Sequence, residues 1–204
     1  MKKLILLLLL LPSLLYAQDW QEAKMSLGVV GGAIPAVGAC TTIFDELTSQ
    51  NDSSAFGNTA IRYYWGQGGY NPVANKTVCK VDVWFAAETG NADSRTFTLK
   101  IWTMSGGVDL NAVVAGGTSN TVAGSSITAP GWVSFTGLSA AIANGTNYAI
   151  TVDGGAVDAS NYFSTYDRAT TPTLAGGGDI AGWQVDKIRG INIPGYDWSI
   201  ILYE

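Results

Sequence analysis

Histidine is absent from all 204 residues. That one gap removes the commonest general base, the Ser-His-Asp and Cys-His nucleophilic arrangements, and most catalytic zinc sites. Charge is scarce too: 13% of residues are charged, 16 of them acidic and 11 basic. The basic residues form no cluster, and a net charge of −5 offers phosphates little to pair with. Nucleic acid is therefore not an expected partner. No Walker-type or dinucleotide-binding glycine motif follows a strand. After residue 18 glutamate occurs only as Glu22, Glu46, Glu88 and Glu204. A two-carboxylate glycosidase would have to use loop acids such as Asp45, Glu46, Asp153, Asp158, Asp167, Asp179 or Asp186, which read better as solvated charges. No enzyme is expected.

The chain opens with Lys2-Lys3, an apolar run from Leu4 to Leu11, then Pro12-Ser13 and a short stretch ending at Ala17. A basic start, an apolar centre and a small residue before the cut make a secretory signal. The run is too short for a membrane span of about 20 residues, and no span is expected after cleavage between Ala17 and Gln18. An uncleaved anchor is the competing reading. No cysteine follows the cut, which argues against a lipid anchor. Loss of Lys2 and Lys3 takes the net charge from −5 to −7. The expected location is extracellular or at the cell surface.

Two cysteines follow the signal, Cys40 and Cys79. In an oxidising compartment an even pair favours a disulfide over two separately buried thiols. Such a bridge closes a loop worth roughly 3–4 kcal/mol on the chain-entropy account. Residues 18–39 form an arm whose apolar, glycine-rich part runs from Ser26 to Gly38. It could be flexible, lead into a strand, or pair with another subunit, but glycine and proline make it a poor central strand.

Beyond the arm, turn residues separate short alternating runs. Thr77–Ala87 puts Cys79, Val81, Val83 and Phe85 on one face, with Lys80, Asp82 and Trp84 on the other. Arg95–Thr103 repeats this with Phe97, Leu99 and Ile101 inward. Strict period-two alternation marks strands with one face in a core. Further strands are expected over Thr59–Trp65, Leu110–Ala115, Gly131–Phe135, Thr146–Asp153, Asn161–Tyr166 and Tyr196–Glu204. Gly66-Gln67-Gly68-Gly69 and Asn144-Gly145 read as turns, 44–58 as a surface loop and 167–194 as loop-rich. With no convincing helix, the expectation is an all-β fold, an antiparallel two-sheet β-sandwich over residues 40–204.

The seven tryptophans and many tyrosines are the most suggestive presence. Aromatic faces stack on the apolar faces of sugar rings while neighbouring polar groups bond the hydroxyls. Trp65, Tyr70, Tyr162, Tyr166 and Trp183 lie in or beside apparent loops, where ligand contacts concentrate, and are the expected binding residues. Trp84, Trp102 and Trp132 fall on the polar side of their strands and need either a covering loop or a ligand. Asp153-Gly154-Gly155 with Asp158 suits structural calcium, a hard cation that takes carboxylate and carbonyl oxygens.

The run Thr77-Val78-Cys79-Lys80-Val81-Asp82-Val83-Trp84-Phe85, then Trp132–Phe135 with Gly145–Ile150, and the closing Asp197–Glu204 resemble jelly-roll, galactose-binding-like sandwich domains of bacterial secreted and phage-associated proteins. The likeness covers about residues 40–204 and rests on strand order and turn placement. It implies a non-catalytic module, carbohydrate-binding or surface-displayed, and supplies no binding motif to carry over. Two functions follow as expectations. One is a lectin-like module for a glycan or cell-surface polymer. The other is a structural surface protein (matrix, adhesin, filament or virion component) that self-associates through its arm.

Overall fold

Alternating sequences need a second apolar layer to cover them, and a computed structural model supplies it. The model describes residues 40–48, 52–56, 64–105, 109–155, 158–168, 183–185, 190–192 and 197–204. Residues 1–39, which hold the expected signal peptide and arm, lie outside the described residues.

The strands in chain order are β1 (Ile43–Leu47), β2 (Asp52–Phe56), β3 (Tyr64–Tyr70), β4 (Lys76–Val78), β5 (Lys80–Thr89), β6 (Thr96–Ser105), β7 (Asp109–Thr118), β8 (Val122–Ala123), β9 (Gly131–Phe135), β10 (Ala140–Ile142), β11 (Tyr148–Asp153), β12 (Tyr162–Arg168), β13 (Trp183–Val185), β14 (Gly190–Asn192), β15 (Asp197–Trp198) and β16 (Ile200–Tyr203). Two large antiparallel sheets pack face to face. In the first, β5 is central: β9 lies along one edge, while β16 and then β12 lie along the other; β1 pairs with β16, and β2 and β15 pair with β12. The second runs β14-β13-β3-β11-β6-β7, with β8 also on β6. A short pair, β10 with β4, completes the pairing.

The inward parities read from the sequence meet between the sheets. Val81, Val83 and Phe85 of β5, Val133 and Phe135 of β9, and Ile200 and Leu202 of β16 are buried. From the second sheet Phe97, Leu99 and Ile101 of β6 and Tyr148, Ile150 and Val152 of β11 face them. Phe85 packs edge-on against Phe97 across the sandwich at 5.9 Å between ring centroids, and against Phe163 at 5.4 Å. The expected bridge is formed: Cys40 and Cys79 are disulfide-bonded with Cα atoms 5.9 Å apart.

Three local expectations are corrected. The polar stretch 44–58 takes in most of β1 and all of β2 rather than a loop alone. Asp45, 7% exposed, occupies an inward position on β1 because Tyr70 Oη donates to its carboxylate at 2.9 Å, so a polar letter hides a core site. Second, Gly66–Gly69 is not a turn but the body of β3. Gly66 is there for close approach: a Cβ on it would lie 1.9 Å from the Ile150 carbonyl oxygen. Gly69 takes a φ of 62° where β3 bulges against β11. Third, the loop-rich region 167–194 carries the end of β12 together with β13 and β14; the rest of it lies outside the described residues.

β3 also ties the two sheets by polar bonds. Besides the Tyr70–Asp45 bond, the Trp198 N–H on β15 donates to Gln67 Oε1 at 2.9 Å, both residues being buried. Satisfied polar links of this kind specify how the layers meet.

Candidate functional site

Strand alternation that sends Val81, Val83 and Phe85 inward turns Lys80, Asp82 and Trp84 to the outer face of the first sheet. Register then decides their neighbours. On β9, Trp132 stands opposite Trp84 and Ser134 opposite Asp82. On β16, Tyr203 stands opposite Lys80. The result is one continuous patch with an aromatic end and a polar end.

At the aromatic end the Trp84 and Trp132 rings meet edge to face, 5.2 Å between centroids at 81°. Trp132 is 37% exposed, the largest side chain left open among the described residues, whereas Trp84 is half-buried. The Trp84 indole N–H is buried without a hydrogen-bond partner among the described residues. At the polar end Asp82 collects three donors: Ser134 Oγ at 2.6 Å on one oxygen, Tyr203 Oη at 2.7 Å and Lys80 Nζ at 3.2 Å on the other. The Lys80 ammonium also sits 3.5 Å from the Tyr203 ring centroid, a cation–π contact. The groups hold one another in place, so the patch is ordered before any ligand arrives. Its chemistry is stacking plus hydrogen bonding.

Burial first, then the hydrogen bond to Asp82 and the charges of Asp82 and Glu46, push the Tyr203 phenol up to about 12. Burial, then the Asp45 charge and hydrogen bond, hold Tyr70 far above the ordinary phenol range. Unfolded, both titrate near 10. The native state then keeps protons that the unfolded chain gives up, so this stabilisation is complete below about pH 10 and is lost as pH rises from there toward the native values. Urea midpoints are expected to hold steady up to about pH 10 and fall above it. Tyr70→Phe with Tyr203→Phe should flatten that fall; an unchanged slope in the double variant contradicts the assignment.

The five aromatics expected to bind ligand from loops lie on strands and divide between the two sheets. Trp65 and Tyr70 lie on β3, each 2% exposed, and belong to the core, which corrects their loop placement. Their flanking glycines imitate a turn. Tyr162 opens β12 and is half-buried, opposite Thr89. Tyr166 pairs in register with Ser53 of β2, in the first sheet. Trp183 pairs with Gly66 and Asn192, in the second. Of the three outward tryptophans, Trp84 and Trp132 form the patch. Trp102 stands apart on the second sheet, its indole N–H donating to Thr151 Oγ1 at 2.8 Å.

The two aspartates considered for calcium each have partners within the protein. One Asp153 oxygen meets Lys100 Nζ at 3.1 Å and the other accepts the Gly155 N–H at 3.0 Å. Asp158 accepts from the Ser160 and Asn161 backbone and from Asn161 Nδ2. Among the described residues no three acids or cysteines cluster in a way that could hold a metal ion. A groove of 430 Å³ lies elsewhere, lined by Asn75–Thr77, Ala141–Ala143 and Glu204, and has no aromatic wall.

Outward parity on β5 and β9 was the available signal for the patch. Asp82, Ser134, Lys80 and Tyr203 could not be joined to the tryptophans without the strand register. No family model matches this chain, and no curated protein or solved structure matches it.

Proposed function

We propose that this chain is an exported, non-catalytic carbohydrate-binding module that holds a glycan on the outer face of its first sheet. The observation that carries the reading is the open Trp132 ring, braced by Trp84, beside the ordered row of Ser134, Asp82, Tyr203 and Lys80. An exposed indole covers the apolar face of a sugar, and the adjacent Ser134 and Tyr203 hydroxyls and Lys80 ammonium, held in place by the buried Asp82 carboxylate, meet its hydroxyls. Lys80 is countered by Asp82, and the chain is acidic as a whole, so the favoured ligand is a neutral glycan. The Cys40–Cys79 disulfide is compatible with an oxidising compartment. Among the described residues no helix is long and apolar enough to cross a membrane.

Tryptophan fluorescence titrated against a panel of neutral and acidic polysaccharides tests the reading. A saturable response to a neutral glycan is expected. Trp132→Ala should weaken it at least about tenfold, some 1.4 kcal/mol, with the circular dichroism spectrum unchanged. A folded protein that answers to no glycan, or binds one equally well without Trp132, overturns the proposal.

A further inference from the structure

The same strand that carries Trp132 is an edge. β9 pairs with β5 on one side and with no described strand on the other. The direction of its backbone groups follows from its neighbours. The Trp84 N–H donates to the Ser199 carbonyl at 3.1 Å, so Asp82 and Trp84 turn their backbone groups toward β16. Val81, Val83 and Phe85 therefore turn theirs toward β9. Through the register, Gly131, Val133 and Phe135 answer β5, while Trp132 and Ser134 point their N–H and C=O groups to the open edge. Thr136, next on that side, already has its carbonyl engaged by the Asn120 N–H at 2.7 Å.

Edge strands are normally blunted by charge, proline or bulges. β1 carries Asp45 and Glu46, and β7 shifts register twice against β6. β9, Gly-Trp-Val-Ser-Phe, has no charge, and its pairing with β5 runs without a shift. Its two open residues are also self-complementary. In an antiparallel copy centred on Val133, each Trp132 stands opposite Ser134 of the partner subunit, a large side chain beside a small one, with no like charges facing.

We propose that β9 pairs with β9 of a second copy across a two-fold axis, joining the first sheets of two subunits into one. The two open residues of each strand make four backbone hydrogen bonds. On the outer face the two Trp132 rings become diagonal neighbours, about 7–8 Å apart at the backbone. The indole pairs of the two subunits then form a single aromatic strip, to which the partner contributes half. The pairing does not rest on the glycan reading, because a dimer that binds no sugar leaves it intact.

Light scattering after size exclusion, at high micromolar concentration, tests it with the purified protein. The expected mass is twice that of the chain. Ser134→Ala keeps the backbone edge and is expected to remain dimeric. Ser134→Pro removes an outward N–H and should halve the mass. If circular dichroism finds the proline variant unfolded, Trp132→Lys asks the same question with a charge on the edge. Backbone amide exchange at Trp132 and Ser134 should slow in the dimer. A wild-type monomer overturns the proposal, including one whose own arm protects those two amides. So does a dimer that survives a folded edge variant, or one in which both amides exchange freely.

Discussion

Replacing Phe85 with alanine is expected to remove about 3–5 kcal/mol of folding stability, the range for a large aromatic lost from a packed core. Phe85 is 0% exposed and stands where the two sheets meet. Its ring touches Phe97 of the opposite sheet as well as Phe135 and Phe163 of its own, with centroids 5.9, 6.4 and 5.4 Å away. Phe97 and Phe163 are in turn 5.5 Å apart, so three of the rings enclose a common centre. Truncation would cost the transfer of the ring from water and leave a cavity that rigid strands on both sides cannot collapse to fill. The edge-to-face contacts add about 0.5–1.5 kcal/mol each beyond area. Equilibrium urea unfolding of Phe85→Ala measures the loss. A change below about 1 kcal/mol would mean that the sheets are not held together here.

Opening the Cys40–Cys79 bridge is expected to cost about 2–4 kcal/mol. The two cysteines are 39 residues apart in sequence, and the bond spares the folded state the entropy of closing that loop. It also fastens the approach to β1 onto the junction between β4 and β5, where the Cys79 N–H donates to the Tyr203 carbonyl at 2.9 Å. Urea transitions with and without a phosphine reductant, and of Cys40→Ala with Cys79→Ala, give the figure. The large apolar core should keep the reduced chain folded in the absence of urea. Equal midpoints in the oxidised and reduced forms would contradict this account of the bridge.

What could be read in advance follows a physical rule. β5, β6 and β11 were legible because large apolar residues recur at every second position and all of these turn to the core: Val81, Val83, Phe85; Phe97, Leu99, Ile101; Tyr148, Ile150, Val152. β1 and β3 were obscured because their inward positions include Asp45 and Gln67, whose polar ends are bonded to Tyr70 and Trp198 across the sandwich. In β3 glycine signals backbone proximity to β11, yet in one dimension it looks like a turn. The site was half legible. Parity alone put Trp84 and Trp132 outward, but pairing between strands some 50 residues apart in sequence brings them together and adds Asp82 and Ser134. Such register is set by the whole sheet and leaves no local trace. Trp65 and Tyr70 were misplaced for the converse reason: nearness to glycine marked them as exposed when their strand is buried.

The central claim is that glycan contact occurs at Trp132 on the outer face of the first sheet. The most direct measurement is a nitrogen–proton NMR spectrum of the indole N–H groups, assigned by single tryptophan substitutions, during titration with the neutral glycan that gives the strongest fluorescence response. Each of the seven tryptophans contributes one signal. The account predicts that Trp132 and Trp84 shift together and saturate, while the core residues Trp65 and Trp198 stay where they are. Saturable binding that moves other indoles and leaves Trp132 and Trp84 untouched would contradict it.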